Sequence, residues 1–212
     1  MRAPVWIYMC AVILIASGII LPESLAAIQS SYSSVGHYLS ELGAVGAPYA
    51  ALTNLFGFLP VVVTSVILLL FIVARRLSDR RGRIGAVLVM FGLSAGYGIA
   101  VMFPCDLGCP IEGSARQAVH NLAGLVQYPM GAVGLILMGV SLRRSHQSLG
   151  WLCLFSGVAM GVGFVMMLAP DQAGYRGLWQ RLGDYSAFVS VIVTAIFARR
   201  ADTETGPTVL SQ

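Results

Sequence analysis

The side chains best suited to chemistry begin in a polar segment, residues 29–43, that contains His37, Ser40 and Glu41. The serines of this segment and its closing Gly43 predict an N-capped helix of about two turns. On such a helix the three side chains stand at i, i+3 and i+4, and therefore on one face. Imidazole, hydroxyl and carboxylate on one face suit acid–base catalysis, nucleophilic attack or metal ligation. The alternative is an interfacial helix whose polar face meets water and lipid head groups.

A second polar segment, residues 103–110, holds Asp106 between Cys105 and Cys109. Two cysteines four residues apart, in a turn bounded by proline and glycine, predict a small disulfide ring that fixes the backbone around the carboxylate. A redox-active dithiol is the alternative, although the spacing has one residue more than the Cys-x-x-Cys pair of thioredoxin-like proteins.

His120 follows this segment, at the start of a long apolar stretch. An ionisable residue near a membrane span is a functional hypothesis by default, and its expected partners are Asp106 and Glu41. The alternative is a histidine at the membrane interface, bonded to a loop carbonyl.

Three further residues are predicted to bind substrate: Tyr128, Gln180 and Arg181. We expect the guanidinium of Arg181 to contact an anionic head group. The alternative for Arg181 is an ion pair with Asp184 at the start of a helix.

The predicted catalytic set is therefore His37, Ser40, Glu41, Asp106 and His120. Either histidine could act as base, the carboxylates as orienting acids and Ser40 as nucleophile. The two histidines and two carboxylates also make an acceptable ligand set for zinc or another divalent metal, with an open position for water.

Helices in a membrane must position these residues, because 57% of the 212 residues are hydrophobic and only 10% are charged. A soluble domain of this size cannot bury so much apolar surface. Six apolar segments approach or reach the length needed to cross a bilayer: 5–21, 49–74, 84–103, 117–142, 149–169 and 184–198. The predicted fold is thus all-α, a polytopic transmembrane bundle of six spans. Residues 1–200 form its single domain, and residues 201–212 form a mobile cytoplasmic tail.

The arginines predict the orientation of this bundle. The chain has no lysine, and of its 13 arginines all but Arg116, Arg176 and Arg181 fall on one side of the six-span pattern. The positive-inside rule places both termini in the cytoplasm, with the three longer loops outside a bacterial inner membrane. The formal charge of +4 is therefore a topology signal rather than a nucleic-acid footprint. A cleaved signal peptide ending near residue 26 is the alternative for the first span.

The run Ser-Glu-Leu-Gly-Ala at 40–44, the run Phe-Pro-Cys-Asp-Leu-Gly-Cys-Pro at 103–110 and His120 together resemble a family of bacterial and archaeal membrane proteins. The family is known as domain of unknown function 998, and the resemblance extends over nearly the whole chain. It implies a compact multi-helix membrane protein with these loops as its hallmark, and no settled activity. The first loop is also similar to that of eukaryotic six-span proteins that include a remodelling factor for lipid anchors.

Two functions are consistent with these observations. The first is a lipid-active hydrolase or transferase with a His/Asp/Glu site at the extracytoplasmic face. The second is a non-catalytic lipid-binding sensor or accessory subunit, with membrane lipid, a second copy of the chain or another membrane protein as partner. A transporter ranks lower, because no ionisable residue is expected at the middle of the spans.

Overall fold

The computed structural model describes residues 3–198, and within them the chain is a bundle of six long helices without a strand. A helix satisfies its backbone hydrogen bonds internally, which hydrocarbon requires of any spanning segment. The predicted all-α fold is confirmed. Arg2, Arg199, Arg200 and the predicted tail lie outside the described residues. The helices are α1 (Val5–Ile28), α2 (Ala50–Arg75), α3 (Arg80–Met102), α4 (Ala115–Leu142), α5 (Gln147–Leu168) and α6 (Arg176–Phe197).

Five of the helices, α1 to α5, are long and apolar enough to cross a membrane. The sixth, α6, has 22 residues but carries Arg176, Arg181 and Asp184 in its first half. Two predicted boundaries were wrong, because α1 continues to Ile28 and α6 begins eight residues before Asp184. Charged residues end an apolar stretch in the sequence, yet they do not end the helix, since Glu23 and Arg181 pair with each other inside the protein.

The predicted two-turn helix in the first loop was also wrong. The structure has a 3-10 helix of five residues, Leu39–Gly43, and His37 precedes it. The carboxylate of Glu41 accepts a hydrogen bond from the Tyr38 backbone N–H at 2.8 Å, which caps this short turn at its first residue. His37, Ser40 and Glu41 therefore do not share a helical face.

Glycines allow the helices to approach closely. A Cβ on Gly85 would stand 2.6 Å from the Gly134 carbonyl oxygen, and one on Gly92 would stand 2.8 Å from the Gln127 carbonyl oxygen, so α3 and α4 meet backbone to backbone. Gly157 meets α4 in the same way, at 2.8 Å from the Ala132 carbonyl oxygen. The small-residue spacing of these glycines thus serves packing within the chain, as membrane helices commonly use it.

The bundle has two distinct ends. Short arginine-bearing turns, residues 76–79 and 143–146, join helices at one end, which we call the arginine end. The three longer connections, residues 29–49, 103–114 and 169–175, meet at the other, which we call the loop end. At the arginine end, the buried Arg76 donates a hydrogen bond to the Ala195 carbonyl at 3.1 Å, a favourable place for a cation near a helix C-terminus. Placement of the arginine end in the cytoplasm remains a prediction.

Candidate functional site

A cavity of about 250 Å³ lies at the loop end, among α2 to α6 and beneath the first two loops. Its walls combine apolar side chains with a small number of polar ones, as is usual for ligand-binding sites. Five phenylalanine or tyrosine rings belong to these walls: Tyr38, Phe58, Tyr97, Tyr128 and Phe164. Besides these tyrosines, the polar side chains of the lining are Ser40, His120, Asn121, Gln127, Gln180 and Asp184.

The floor of the cavity is built around Asp184, whose side chain is almost completely buried, at 1% exposure. Its carboxylate accepts hydrogen bonds from the hydroxyls of Tyr97 at 3.0 Å and Tyr128 at 3.2 Å. The Gln127 amide donates a third, at 3.3 Å. Three helices thus converge on one carboxylate: α3 contributes Tyr97, α4 contributes Gln127 and Tyr128, and α6 contributes the acid itself. The predicted ion pair between Asp184 and Arg181 is not formed.

Close helix contacts position this floor. A Cβ on Gly96 would stand 1.9 Å from the Gln127 side-chain oxygen, so only glycine leaves room for that amide. The Tyr97 ring stands edge-on to Phe58, at 5.3 Å between centroids, and the Tyr128 ring stacks on Phe164, at 6.0 Å. Both phenol hydroxyls are therefore held toward the acid by ring packing as well as by hydrogen bonds.

His120 and Ser40 lie on the wall nearest the loops. The His120 Nδ1 is 3.1 Å from the Phe103 carbonyl oxygen, and a carbonyl can only accept, so Nδ1 donates. In the neutral imidazole the Nε2 then carries the lone pair and is the basic nitrogen. The Ser40 hydroxyl is 3.4 Å from the Cys109 Sγ.

The predicted disulfide between Cys105 and Cys109 is present. Both cysteines are buried, and the ring also joins the first loop, because the Val45 N–H donates to the Cys105 carbonyl at 2.9 Å. Left-handed backbone conformations at Gly108 and Cys109, with φ of 80° and 42°, close the turn. The ring therefore fixes the two loops against each other above the cavity.

Asp106 caps its own loop and is not among the cavity-lining residues. Its carboxylate accepts hydrogen bonds from the Ser114 backbone N–H and hydroxyl, both at 2.8 Å, and from Arg116 at 3.3 Å. The bonds from Ser114, and after them the Arg116 guanidinium, hold the pKa of Asp106 below its usual range. The Gln117 side chain accepts from the Asp106 N–H at 2.7 Å and ties this loop to α4.

Arg181 anchors the first loop to α6. Its guanidinium pairs with Glu23 at 2.6 Å and donates to the Tyr32 hydroxyl and the Ser34 carbonyl, both at 2.8 Å. Burial raises the pKa of Tyr32 to about 12, so that its hydroxyl keeps the proton that it donates to the Tyr38 carbonyl at 2.8 Å. Arg181, predicted to bind a head group, thus directs its donors to the protein itself.

The other predicted residues divide between loop and cavity. His37 accepts a hydrogen bond from the Ser33 N–H at 2.9 Å, and Glu41 caps Tyr38, so both serve the first loop. Gln180 accepts from the Leu39 N–H at 2.5 Å and lines the cavity, as Tyr128 does. Of the five residues predicted to be catalytic, the structure brings only Ser40 and His120 to the cavity wall.

The predicted metal ligands are not gathered at one point. Within residues 3–198, one group of three His, Cys, Asp or Glu residues has its ligand atoms within 4.8 Å of one another. Its members are Cys105, Cys109 and His120. Thiolates, not disulfide sulfurs, are the usual cysteine ligands. The oxidised ring therefore leaves His120 as the one ordinary ligand of that group.

The floor residues Asp184, Gln127 and Tyr97 were missed as functional residues by sequence reasoning. A signal was available for Tyr97 and Gln127, because each is a polar side chain within a helix of spanning length and hydropathy. Asp184 was interpreted as lying at the start of a span, but it is the ninth residue of α6. At about 1.5 Å per residue it lies about 12 Å below the start of the helix.

The model of one protein family, described as a protein of unknown function (DUF998), matches residues 4–197. No curated protein and no solved structure matches the chain.

Proposed function

This chain belongs to the DUF998 family, and from that premise we propose that it is a lipid-binding membrane protein whose loop-end cavity takes the polar end of an amphipathic molecule. The observation that carries the proposal is the cavity itself, which joins a buried polar floor to apolar walls within helices of membrane-spanning character. At roughly 30 Å³ per water molecule it has room for about eight waters, the size of a small head group rather than of a whole lipid.

The rim of the cavity supports an amphipathic occupant. Ile111, Leu125 and Leu168 line the cavity and are also exposed, at 80%, 48% and 59%. Leu125 and Leu168 lie on helices α4 and α5, where exposed apolar side chains are suited to hydrocarbon, and Ile111 adds an apolar side chain from the second loop. An acyl chain could therefore lie along these residues while the polar end of the same molecule enters the cavity.

The arginine asymmetry supports a location for this site. With both termini in the cytoplasm of a bacterial cell, the loop end faces the extracytoplasmic side of the inner membrane. The occupant would then come from the outer leaflet of that membrane.

A size-blocking substitution tests lipid binding. Gly124 lines the cavity, and a Cβ added there meets nothing within 4 Å, so Gly124→Leu should fill the cavity without disturbing the helices. Gly98→Leu is the matched control, since Gly98 is also a helical glycine with space beside it but does not line the cavity. We expect mass spectrometry of the purified protein to find co-purified lipid with the wild type and Gly98→Leu, and much less with Gly124→Leu. Equal lipid on both variants would contradict the proposal.

A second candidate, a lipid hydrolase or transferase, is favoured by one specific observation. His120, with its basic Nε2, and the Ser40 hydroxyl belong to the same cavity wall. In this function His120 would act as general base toward a serine or water nucleophile. Turnover of lipid esters by the wild type that is lost in His120→Gln, with lipid binding retained, would establish it. If the wild type binds lipid but does not convert it, lipid binding without catalysis is the function.

A further inference from the structure

We propose that the floor of the cavity binds an organic cation, the ammonium group of an amine-bearing amphiphile. The inference rests on the lipid-binding function proposed above and specifies the chemical class of the occupant.

The charge of the floor favours a cation. The three side chains that donate to Asp184 are two phenols and an amide, all of them uncharged. The ion pairs present in residues 3–198 join Arg116 to Asp106 and Arg181 to Glu23, and neither includes Asp184. A carboxylate so deeply buried requires a neutralising partner, which is a proton or a cation. The cavity beside it gives a cation the space to reach it.

The arginine that could have served as that partner is occupied. Arg181 lies three residues before Asp184 on α6, but its Nε contacts Glu23 at 2.6 Å, and its terminal nitrogens contact the first loop. Its donors are therefore committed to holding that loop. No arginine belongs to the cavity lining within the described part of the chain, and the sequence has no lysine.

The aromatic rings of the cavity wall also favour a cation. Phe58 packs on Tyr97 and Phe164 on Tyr128 in the cavity walls, and the two tyrosines of these pairs contact the carboxylate. Aromatic faces attract ammonium groups, and cages of such rings are a recurrent site for alkylated amines. A carboxylate bordered by aromatic rings therefore favours an ammonium over a phosphate or a neutral hydroxyl.

Polar side chains above the floor could bind a second group of the ligand. His120, Asn121 and Ser40 lie on the wall nearer the loops, where they could meet a polar group attached to the ammonium. Both a free alkylamine and a phospholipid with an ethanolamine head group satisfy these requirements. The two sources share the ammonium, and the experiment separates them.

Matched amphiphiles test the charge preference. The full-length protein, in a neutral detergent, is heated with dodecylamine, with dodecyltrimethylammonium or with dodecanol, which share a chain length. A ligand that binds the native state raises the unfolding temperature. We expect the cations to raise it at concentrations about tenfold lower than the alcohol requires. Equal effects of amine and alcohol would overturn the cation inference and leave lipid binding intact.

Asp184→Asn supplies the decisive variant, with Asp171→Asn as its control, because Asp171 is an exposed acid outside the cavity lining. The preference for the amine should disappear in Asp184→Asn and persist in Asp171→Asn. Retention of the preference in a folded Asp184→Asn protein would refute the inference. If Asp184→Asn does not fold, Gly124→Leu tests the same site with the carboxylate intact, and an undiminished amine effect there refutes it.

Bilayer nanodiscs distinguish the two sources. Preferential retention of phosphatidylethanolamine over phosphatidylglycerol by the wild type, lost in Gly124→Leu, identifies a lipid head group as the cation. An amine effect without that lipid preference identifies a free amine. Lipid binding and the cation inference would both be refuted by one combined result. In it, the amine has no effect, phosphatidylethanolamine is not preferred, and Gly124→Leu leaves the amount of bound lipid unchanged.

Discussion

At Gly177 the backbone of the first loop packs directly against α6, and Gly177→Ala should destabilise the protein strongly. A Cβ there would stand 2.1 Å from the His37 carbonyl oxygen and 2.6 Å from that of Ser34. Both contacts are backbone, so neither can be relieved by a change of rotamer. To regain ordinary contact at about 3.4 Å, the loop must move away from the helix by about 1.3 Å.

The cost of that movement has two parts. Overpacking of a rigid contact costs about 1–3 kcal/mol. The displaced carbonyls also accept hydrogen bonds from Arg181, at 2.8 Å to Ser34 and 3.2 Å to His37, and each weakened bond contributes about 0.5–1.5 kcal/mol. A total of about 2–6 kcal/mol corresponds to a fall in unfolding temperature of about 4–24 °C for a chain of this length.

Gly174→Ala provides the matched control. Gly174 lies three residues earlier, and a Cβ added there meets nothing within 4 Å, so the unfolding temperature should change by less than about 2 °C. The assay is the loss of intrinsic tryptophan fluorescence on heating the purified protein in detergent. A Gly177→Ala protein as stable as Gly174→Ala would refute the argument that this contact fixes the loop.

Three further predictions concern the loops and the orientation of the chain. Non-reducing mass spectrometry of the mature protein should find Cys105 and Cys109 bonded; free thiols would contradict the disulfide. Because the folded pKa of Asp106 is lowered, its contribution to stability is complete above the unfolded value near 3.9 and is lost as the pH falls through the folded value. The difference in unfolding temperature between wild type and Asp106→Asn should therefore become smaller below about pH 4. A difference that stays constant with pH would show that the ionisation of Asp106 does not contribute to stability. A cysteine introduced at Ser78 should resist impermeant reagents added to intact cells, whereas labelling from outside would reverse the orientation.

The disulfide and the helices could be predicted because local features determine them. Cys105 and Cys109 are four residues apart in a turn, so their proximity does not depend on how distant helices pack. The apolar stretches likewise predicted helices from composition and length, since a bilayer imposes both. The boundary errors came from charged residues such as Glu23 and Arg181, which pair with each other although they are 158 residues apart in the sequence.

The site could be predicted only in part. Sequence reasoning gave His120, Ser40, Tyr128 and Gln180, which line the cavity, because polar residues beside apolar stretches stand out. It could not tell that Glu41 and Asp106 are used as caps, since a cap is defined by which backbone N–H lies within reach.

By itself the sequence determined a helical membrane protein with a short disulfide ring and polar loops between its spans, because apolar length and close spacing act locally. Tertiary structure alone decided that Asp184 would be the floor of a cavity and Arg181 the anchor of a loop. The two residues are three positions apart on one helix, yet they meet different helices. Their roles follow from which faces pack together, and spacing along a single chain does not contain that information.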